Sequence, residues 1–269
     1  MFFSGLTAIS SALKGCHLLH KPQVKEVRGM KTLAVIPARY ASTRLPGKPL
    51  VEIAGIPLVL RVLKNVSECA SVDRVVVATD DERIRAVVEA GGGEVIMTPA
   101  ELPSGGDRVA FVSRLIPSDY VLNVQVDDPL VGADMIDPLV AALDSDISVQ
   151  LALLAKKIEN REEVESKDIV KAVFDSTGRA LYFSRSPIPY PRNDGGVWYK
   201  HIGPYGWRRD FLLEFASMPQ TPLEKTESLE MLRVIENGST IKCVPVLRDT
   251  IEIDTPEDLL KIEKFLSGL

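Results

Sequence analysis

The sequence predicts an α/β chain built on a doubly wound, mostly parallel sheet, with an antiparallel insertion in its second half. Three observations predict it. Short runs rich in β-branched residues recur from residue 32 onward. Segments that are apolar at every third and fourth position fill the intervals between them. After about residue 145 this alternation gives way to a hairpin pattern and a Pro-rich loop.

The elements follow in order. "TLAVIPA" (32–38), "RVVVAT" (74–79), "GEVIM" (93–97) and "YVLNVQV" (120–126) read as strands covered on both faces, because their apolar runs are nearly continuous. "PLVLRVLKNVSECA" (57–70), "DERIRAVVEAG" (81–91) and "DRVAFVSRL" (107–115) read as helices, the first with Pro57 at its favoured opening turn. Strand and helix alternating in this way is the order of a doubly wound sheet. In the second half, 169–175 and 180–185 flank the turn "STG" as a hairpin, and "SPIPYPRNDGG" (186–196) is a loop. "WYKHIGPYGWRR" is strand-like, and 209–217 and 224–236 are expected to be helices. The segment 250–254 is expected to return to the parent sheet as a strand. A last helix then opens with Thr255 as cap, Pro256 and an acidic first turn.

Composition narrows the functions. With 269 residues, 45% hydrophobic and 26% charged, the chain has the make-up of an ordinary globular protein that needs no staples. A net charge of −5 argues against nucleic acid as a partner, so any phosphate ligand must be met by a local cluster of cations. Cys16, Cys69 and Cys243 show no paired spacing, which fits a reducing, cytoplasmic setting without a thiolate metal site. The first 29 residues read as a disordered extension or a misassigned start ahead of Met30. Their apolar run is broken by Ser4, Gly5, Ser10, Ser11 and Lys14, too polar for membrane insertion. Residues 30–269 are expected to form one domain, with the insertion at about 158–206 offering a face for a homodimer.

Four stretches carry chemistry. "VIPARYASTRLPGKPL" (35–50) runs from a strand into a turn holding Arg39, Arg44 and Lys48 beside Gly47, with no acidic residue. In an open α/β sheet that turn lies at the carboxyl edge, where ligands bind. Two planar guanidinium forks and a compact ammonium suit phosphate oxygens, and a glycine lets backbone amides approach them. The alternative is a solvated basic loop. "NVQVDDPL" (123–130) puts Asp127 and Asp128 at the end of another strand. Only one of them should face the site, because successive extended residues point opposite ways. Asp254 stands at the same kind of edge. These carboxylates are hard donors suited to Mg²⁺ alongside phosphate, although turn and helix capping would also account for them. Finally, Arg185, His201 and Tyr205 would suit an acidic, polyhydroxylated small molecule. The other reading makes His201 and the aromatic residues core.

Taken together, "VIPARYASTRLPGKPL", "VVVATDDERI", "NVQVDDP", "ALYFSRSPIPYPR", "KHIGPYGWR", "TPLEKTESLEMLR" and "IEIDTPEDL" resemble the 3-deoxy-manno-octulosonate cytidylyltransferase family from about residue 31 to 269. The resemblance implies a nucleotidyltransferase-like fold and an Mg²⁺-dependent reaction. CTP and an acidic eight-carbon sugar would give the CMP-sugar and pyrophosphate for lipopolysaccharide synthesis. Lys48, Asp127 and Asp254 would be catalytic, with Asp127 and Asp254 holding the metal. Arg39, Arg44 and Lys48 would bind the triphosphate, with Ser104 near the cytosine. Gln125, Arg185, His201, Tyr205 and Glu230 would line the sugar pocket. Four positions depart from the family pattern: Val126 for Gly, Asp128 for Glu, Met231 for Gln, and Gly106 for Thr. Met231 opens the question of which sugar is bound, since a lost polar partner in a buried pocket costs about 1–3 kcal/mol. The same reaction on an 8-amino or other acidic sugar, and a non-catalytic nucleotide-binding module, therefore stay open.

Overall fold

The structure, a computed structural model, describes residues 31–41, 45–193 and 195–266. The expected N-terminal extension and Arg44 lie outside the described residues. The chain opens with β1 (Thr32–Pro37), then a short 3₁₀ turn (Lys48–Leu50) and the small hairpin β2 (Glu52–Ile53) and β3 (Ile56–Pro57). Next come α1 (Leu58–Ser67), β4 (Arg74–Thr79), α2 (Glu82–Ala90), β5 (Glu94–Met97), α3 (Gly105–Leu115) and β6 (Tyr120–Asn123). Then follow α4 (Ala133–Ser145), β7 (Val149–Lys157), α5 (Arg161–Glu165), β8 (Lys171–Phe174), β9 (Ala180–Ser184) and β10 (Tyr199–Arg208). The last elements are α6 (Arg209–Phe215), α7 (Pro222–Glu227), α8 (Glu230–Glu236), β11 (Thr240–Val246) and α9 (Pro256–Leu266).

The main sheet runs β11-β7-β10-β6-β1-β4-β5, with β8 joined to β10 and β9 to β8. β1 pairs in parallel with β4 and β6, β4 with β5, and β11 with β7. Along this path β10 alone runs antiparallel, pairing with both β6 and β7. The sheet is therefore mostly parallel and interrupted at one place, as the sequence predicts. Alternate residues of β1 feed two apolar layers. Ala34 and Ile36 pack with Leu58, Ile84, Leu139 and Ile262 from α1, α2, α4 and α9. Leu33 and Val35 pack with Val112, Phe211 and Leu232 from α3, α6 and α8. Burial on both faces is why these strands read as continuous apolar runs instead of alternating ones.

Two expectations are corrected. Residues 250–254 form no strand, and the strand that returns to the sheet is β11. The later segment instead crosses the carboxyl edge, where the Ile253 amide donates to the Asp127 carbonyl at 2.9 Å. The single helix expected over 224–236 is two, α7 and α8, broken where Ser228 adopts a left-handed φ of 55°. The buried Arg233 Nε reaches back across the break to Glu224 at 2.8 Å. Among the described residues no helix is long and apolar enough to cross a membrane.

Candidate active site

The turn after β1 is closed by Gly47, whose amide donates to the Tyr40 carbonyl at 3.0 Å. Gly47 has φ 71°, which favours glycine, and a Cβ there would meet the Tyr40 ring at 3.2 Å. This reversal starts the 3₁₀ turn and sends Lys48 inward, to 9% exposure. Lys48 Nζ lies 3.0 Å from Asp127 Oδ2 and 2.9 Å from Asp254 Oδ1. Burial opposes the ammonium charge, but the two carboxylates outweigh it and hold the Lys48 pKa above its ordinary value. Of the basic turn, Lys48 meets both Asp127 and Asp254, so these three residues share one place.

The backbone explains the meeting. β1 and β6 are parallel neighbours, so both chains leave the sheet at the same edge. The Ile253 to Asp127 hydrogen bond then brings Asp254 alongside. Of the adjacent aspartates, Asp128 turns into the protein, at 6% exposure, and its Oδ1 accepts from the Leu130 amide at 3.1 Å. Burial pushes the Asp128 carboxyl up to about 7; the Leu130 amide and Arg248 pull against that rise, while the charges of Glu252 and Asp127 add to it. Asp128 is thus the turn-capping partner and Asp127 the one facing Lys48.

Gln125, Asp127, Tyr205, Thr250 and Glu252 line the cleft beside this pair. Glu252 was not singled out from the sequence. Its side chain still reaches solvent, yet desolvation in the cleft and the charges of Asp127 and Asp254 raise its pKa, with Lys48 partly offsetting them. The signal for it was present in "TIEIDTP", where Glu252 and Asp254 are two residues apart and so share a face of an extended chain.

β10 supplies the aromatic wall. Tyr205 pairs with Asn123, the last residue of β6, so the part of β10 before Tyr205 projects past the end of that strand. His201 and Tyr205 stack with ring centroids 5.2 Å apart, and Phe183 meets His201 edge-on at 6.1 Å. His201 Nε2 is buried without a hydrogen-bond partner, and burial lowers the imidazole pKa to about 4, so the ring is neutral near pH 7. Burial, followed by the charges of Glu252, Glu230 and Asp127, pushes the Tyr205 phenol up.

The start of α3 lies close to Gln125 and Glu230. The Ser104 hydroxyl caps that helix, accepting from the Asp107 amide at 3.1 Å and donating to the Asp107 carboxylate at 2.6 Å. Arg39 Nη1 donates to the Pro103 carbonyl at 2.9 Å, which ties the β1 loop to this helix start. A Cβ on Gly106 would lie 3.9 Å from Glu230 Oε2, and one on Gly105 would lie 3.7 Å from Gln125 Oε1. Ser104, Gly106, Asn123, Trp207, Glu230 and Arg233 are among the residues lining a second hollow of about 270 Å³. Burial raises the Glu230 pKa while Arg233 opposes the rise.

Arg185 is differently engaged. Its amide and Nε donate to Glu227 at 3.0 and 2.9 Å, and Nη1 donates to the Lys167 carbonyl at 3.1 Å. It lines neither hollow. Val126 and Met231, two of the departures from the family pattern, are each 8% exposed and belong to the two apolar layers. Neither adds bulk to the lining of the cleft or the hollow.

Comparison with known proteins identifies the family. A family profile described as cytidylyltransferase matches residues 33–241. A 3-deoxy-manno-octulosonate cytidylyltransferase from Syntrophotalea carbinolica is 46% identical over 250 residues, covering 89% of this chain and 100% of that protein. A Geobacter metallireducens protein of the same name is 46% identical over 250 residues, covering 88% and 98%. A solved CMP:2-keto-3-deoxy-manno-octonic acid synthetase complexed with CTP superposes with a TM-score of 0.85 at 39% identity, covering 88% of this chain and 99% of that one. By matched domain, by identity along most of its length and by fold, this chain belongs to the 3-deoxy-manno-octulosonate cytidylyltransferase family of cytidylyltransferases.

Proposed function

We propose that this protein transfers CMP from CTP to the anomeric oxygen of 3-deoxy-manno-octulosonate, releasing pyrophosphate and supplying lipopolysaccharide synthesis. The observation that carries the reading is the buried Lys48 ammonium bracketed by Asp127 and Asp254 at the carboxyl edge of the sheet. The anomeric hydroxyl attacks the α-phosphorus, the bond to the β-phosphate oxygen breaks, and the hydroxyl proton is lost to solvent. Lys48 and Arg39, with Arg44 beside them in sequence, neutralise charge growing on the departing pyrophosphate. Ser104 holds the helix start against which the cytosine rests. Gln125, His201, Tyr205 and Glu230 present amide, imidazole, phenol and carboxylate groups to the sugar hydroxyls, and Arg185 orders the edge of the pocket. Holding the two substrates in line accounts for most of the remaining rate.

The donor set fits Mg²⁺. Asp127 and Asp254 already bracket a cation, and Mg²⁺ typically takes one or two carboxylates together with phosphate oxygens and water. Among the described residues no group of three His, Cys, Asp or Glu could hold a metal ion, so nucleotide oxygens and water would complete the shell. When bound, Mg²⁺ supplies positive charge to the α-phosphate and favours ionisation of the attacking hydroxyl.

The reading carries a cytoplasmic location, in keeping with the free, buried Cys69 and Cys243. It also carries a homodimer joined through the antiparallel excursion, where Leu181, Tyr190 and Val197 are exposed. Pyrophosphate release with CTP and 3-deoxy-manno-octulosonate, run beside GTP, UTP, the 8-amino sugar and a sialic-type acid, tests the proposal. Turnover is expected with CTP and the unmodified sugar; CTP binding without pyrophosphate release from any acidic sugar would reject it.

A further inference from the structure

An ammonium already bracketed by two carboxylates is not free to meet a triphosphate as well. In the reading above Lys48 meets the triphosphate, yet in the structure its Nζ is held by Asp127 Oδ2 and Asp254 Oδ1. We propose that Lys48 guards this carboxylate pair: its ammonium competes with a divalent cation for the same two oxygens, and a polyphosphate opens the pair by drawing the ammonium away. The inference rests on the proposed function, because it takes Asp127 and Asp254 as the metal-binding residues.

The geometry supports a switch confined to one side chain. The Lys48 backbone is fixed in its turn, with its amide donating to Leu45 at 3.1 Å and its carbonyl accepting from Val51 at 3.1 Å. Asp127 is likewise fixed through its carbonyl to Ile253. What can move is the four-carbon lysine stem, which swings a point charge through several ångströms without disturbing the fold. A divalent ion bound by both carboxylates needs oxygens at about 2.1 Å, and a buried ammonium on the same oxygens repels it and uses their lone pairs. The phosphates of a nucleotide give Lys48 a stronger anionic partner and at the same time give the metal its missing oxygens. Metal and nucleotide would then bind cooperatively, each removing an obstacle to the other.

The test is Mn²⁺ binding to the intact protein alone, read by loss of the free-ion signal in electron paramagnetic resonance. The proposal expects Lys48→Met to bind Mn²⁺ at least ~10-fold more tightly than the unmodified protein, since the competing charge is gone. It expects Lys48→Arg, which keeps the charge, to stay weak, and Asp127→Asn added to Lys48→Met to abolish the gain. Circular dichroism confirms that each variant is folded. Equal, measurable affinity in the unmodified protein and Lys48→Met would overturn the inference while leaving the metal reading intact. A gain that survives Asp127→Asn would overturn it too. No binding by any variant would also overturn it, and if turnover were then insensitive to Asp127→Asn the metal reading would fall as well.

Discussion

Lys48 shows what single residues do here. Its charge is kept in a buried place only because Asp127 and Asp254 stand within 3.0 Å, and an unpaired ammonium there would be costly. Because the same charge is assigned to the triphosphate, Lys48→Ala should raise KM for CTP by ~10-fold or more, about 1.4 kcal/mol of lost binding, while changing KM for the sugar little. Steady-state kinetics with each substrate varied will check this; the opposite pattern would reassign the loop. His201 makes a pH-dependent prediction. Its folded pKa of about 4 lies below the ordinary value of 6.5, so the folded protein binds fewer protons than the unfolded chain between those values. Stability is therefore retained above pH 6.5 and lost as pH falls towards 4, by up to roughly 3 kcal/mol from this group. His201→Gln should flatten that part of the profile in urea melts, and an unchanged difference between pH 6.5 and 4.5 would contradict it. The sequence made Asp127, Asp254 and Lys48 legible as candidates because charged residues at strand ends stand out from apolar runs. Their contact could not be read, since it depends on the Ile253 to Asp127 backbone bond.

At the scale of elements, the parallel half was legible because strands covered on both faces show as unbroken apolar runs. The helix α4 was not, with Pro138 inside it, and β7 follows at the point where the regular alternation in the sequence gives way. The role of 250–254 was misread for a physical reason. "TIEID" alternates like a strand, but it spans the edge of the sheet, where no neighbouring strand extends its hydrogen bonds. The antiparallel excursion is held by Lys171. This fully buried lysine donates to the carbonyls of Ser166 and Ile169 at 2.7 Å, and also to that of Arg185. Burial lowers the Lys171 pKa. Lys171→Met should destabilise the protein by ~3 kcal/mol or more, because it leaves three carbonyls without their donor. Chemical denaturation will measure it, and a loss below about 1 kcal/mol, smaller than one typical hydrogen-bond deletion, would show that the ammonium does not hold these loops.

For the whole molecule, one sheet topology gathers residues from across the chain. β1 delivers the basic turn, the exit of β6 delivers Gln125 and Asp127, β10 delivers His201 and Tyr205, and the segment before α9 delivers Glu252 and Asp254. β10 matters most to this assembly, since by entering the sheet antiparallel between β6 and β7 it projects its aromatic residues past the carboxyl edge. The fold and the family were legible from the order of motifs. The surroundings of Arg185 and Met231 were less so, because Arg185 is hydrogen-bonded to Glu227 and Lys167 and Met231 is packed in the core, facts of packing that spacing does not encode. The central claim is that Asp127 and Asp254 act together at one catalytic centre. The most direct measurement is pyrophosphate release from CTP and 3-deoxy-manno-octulosonate by Asp127→Ala and Asp254→Ala, with folding verified. Each is expected to lower turnover by at least ~100-fold, a few kcal/mol of lost transition-state stabilisation. Near-normal rates in both would contradict it.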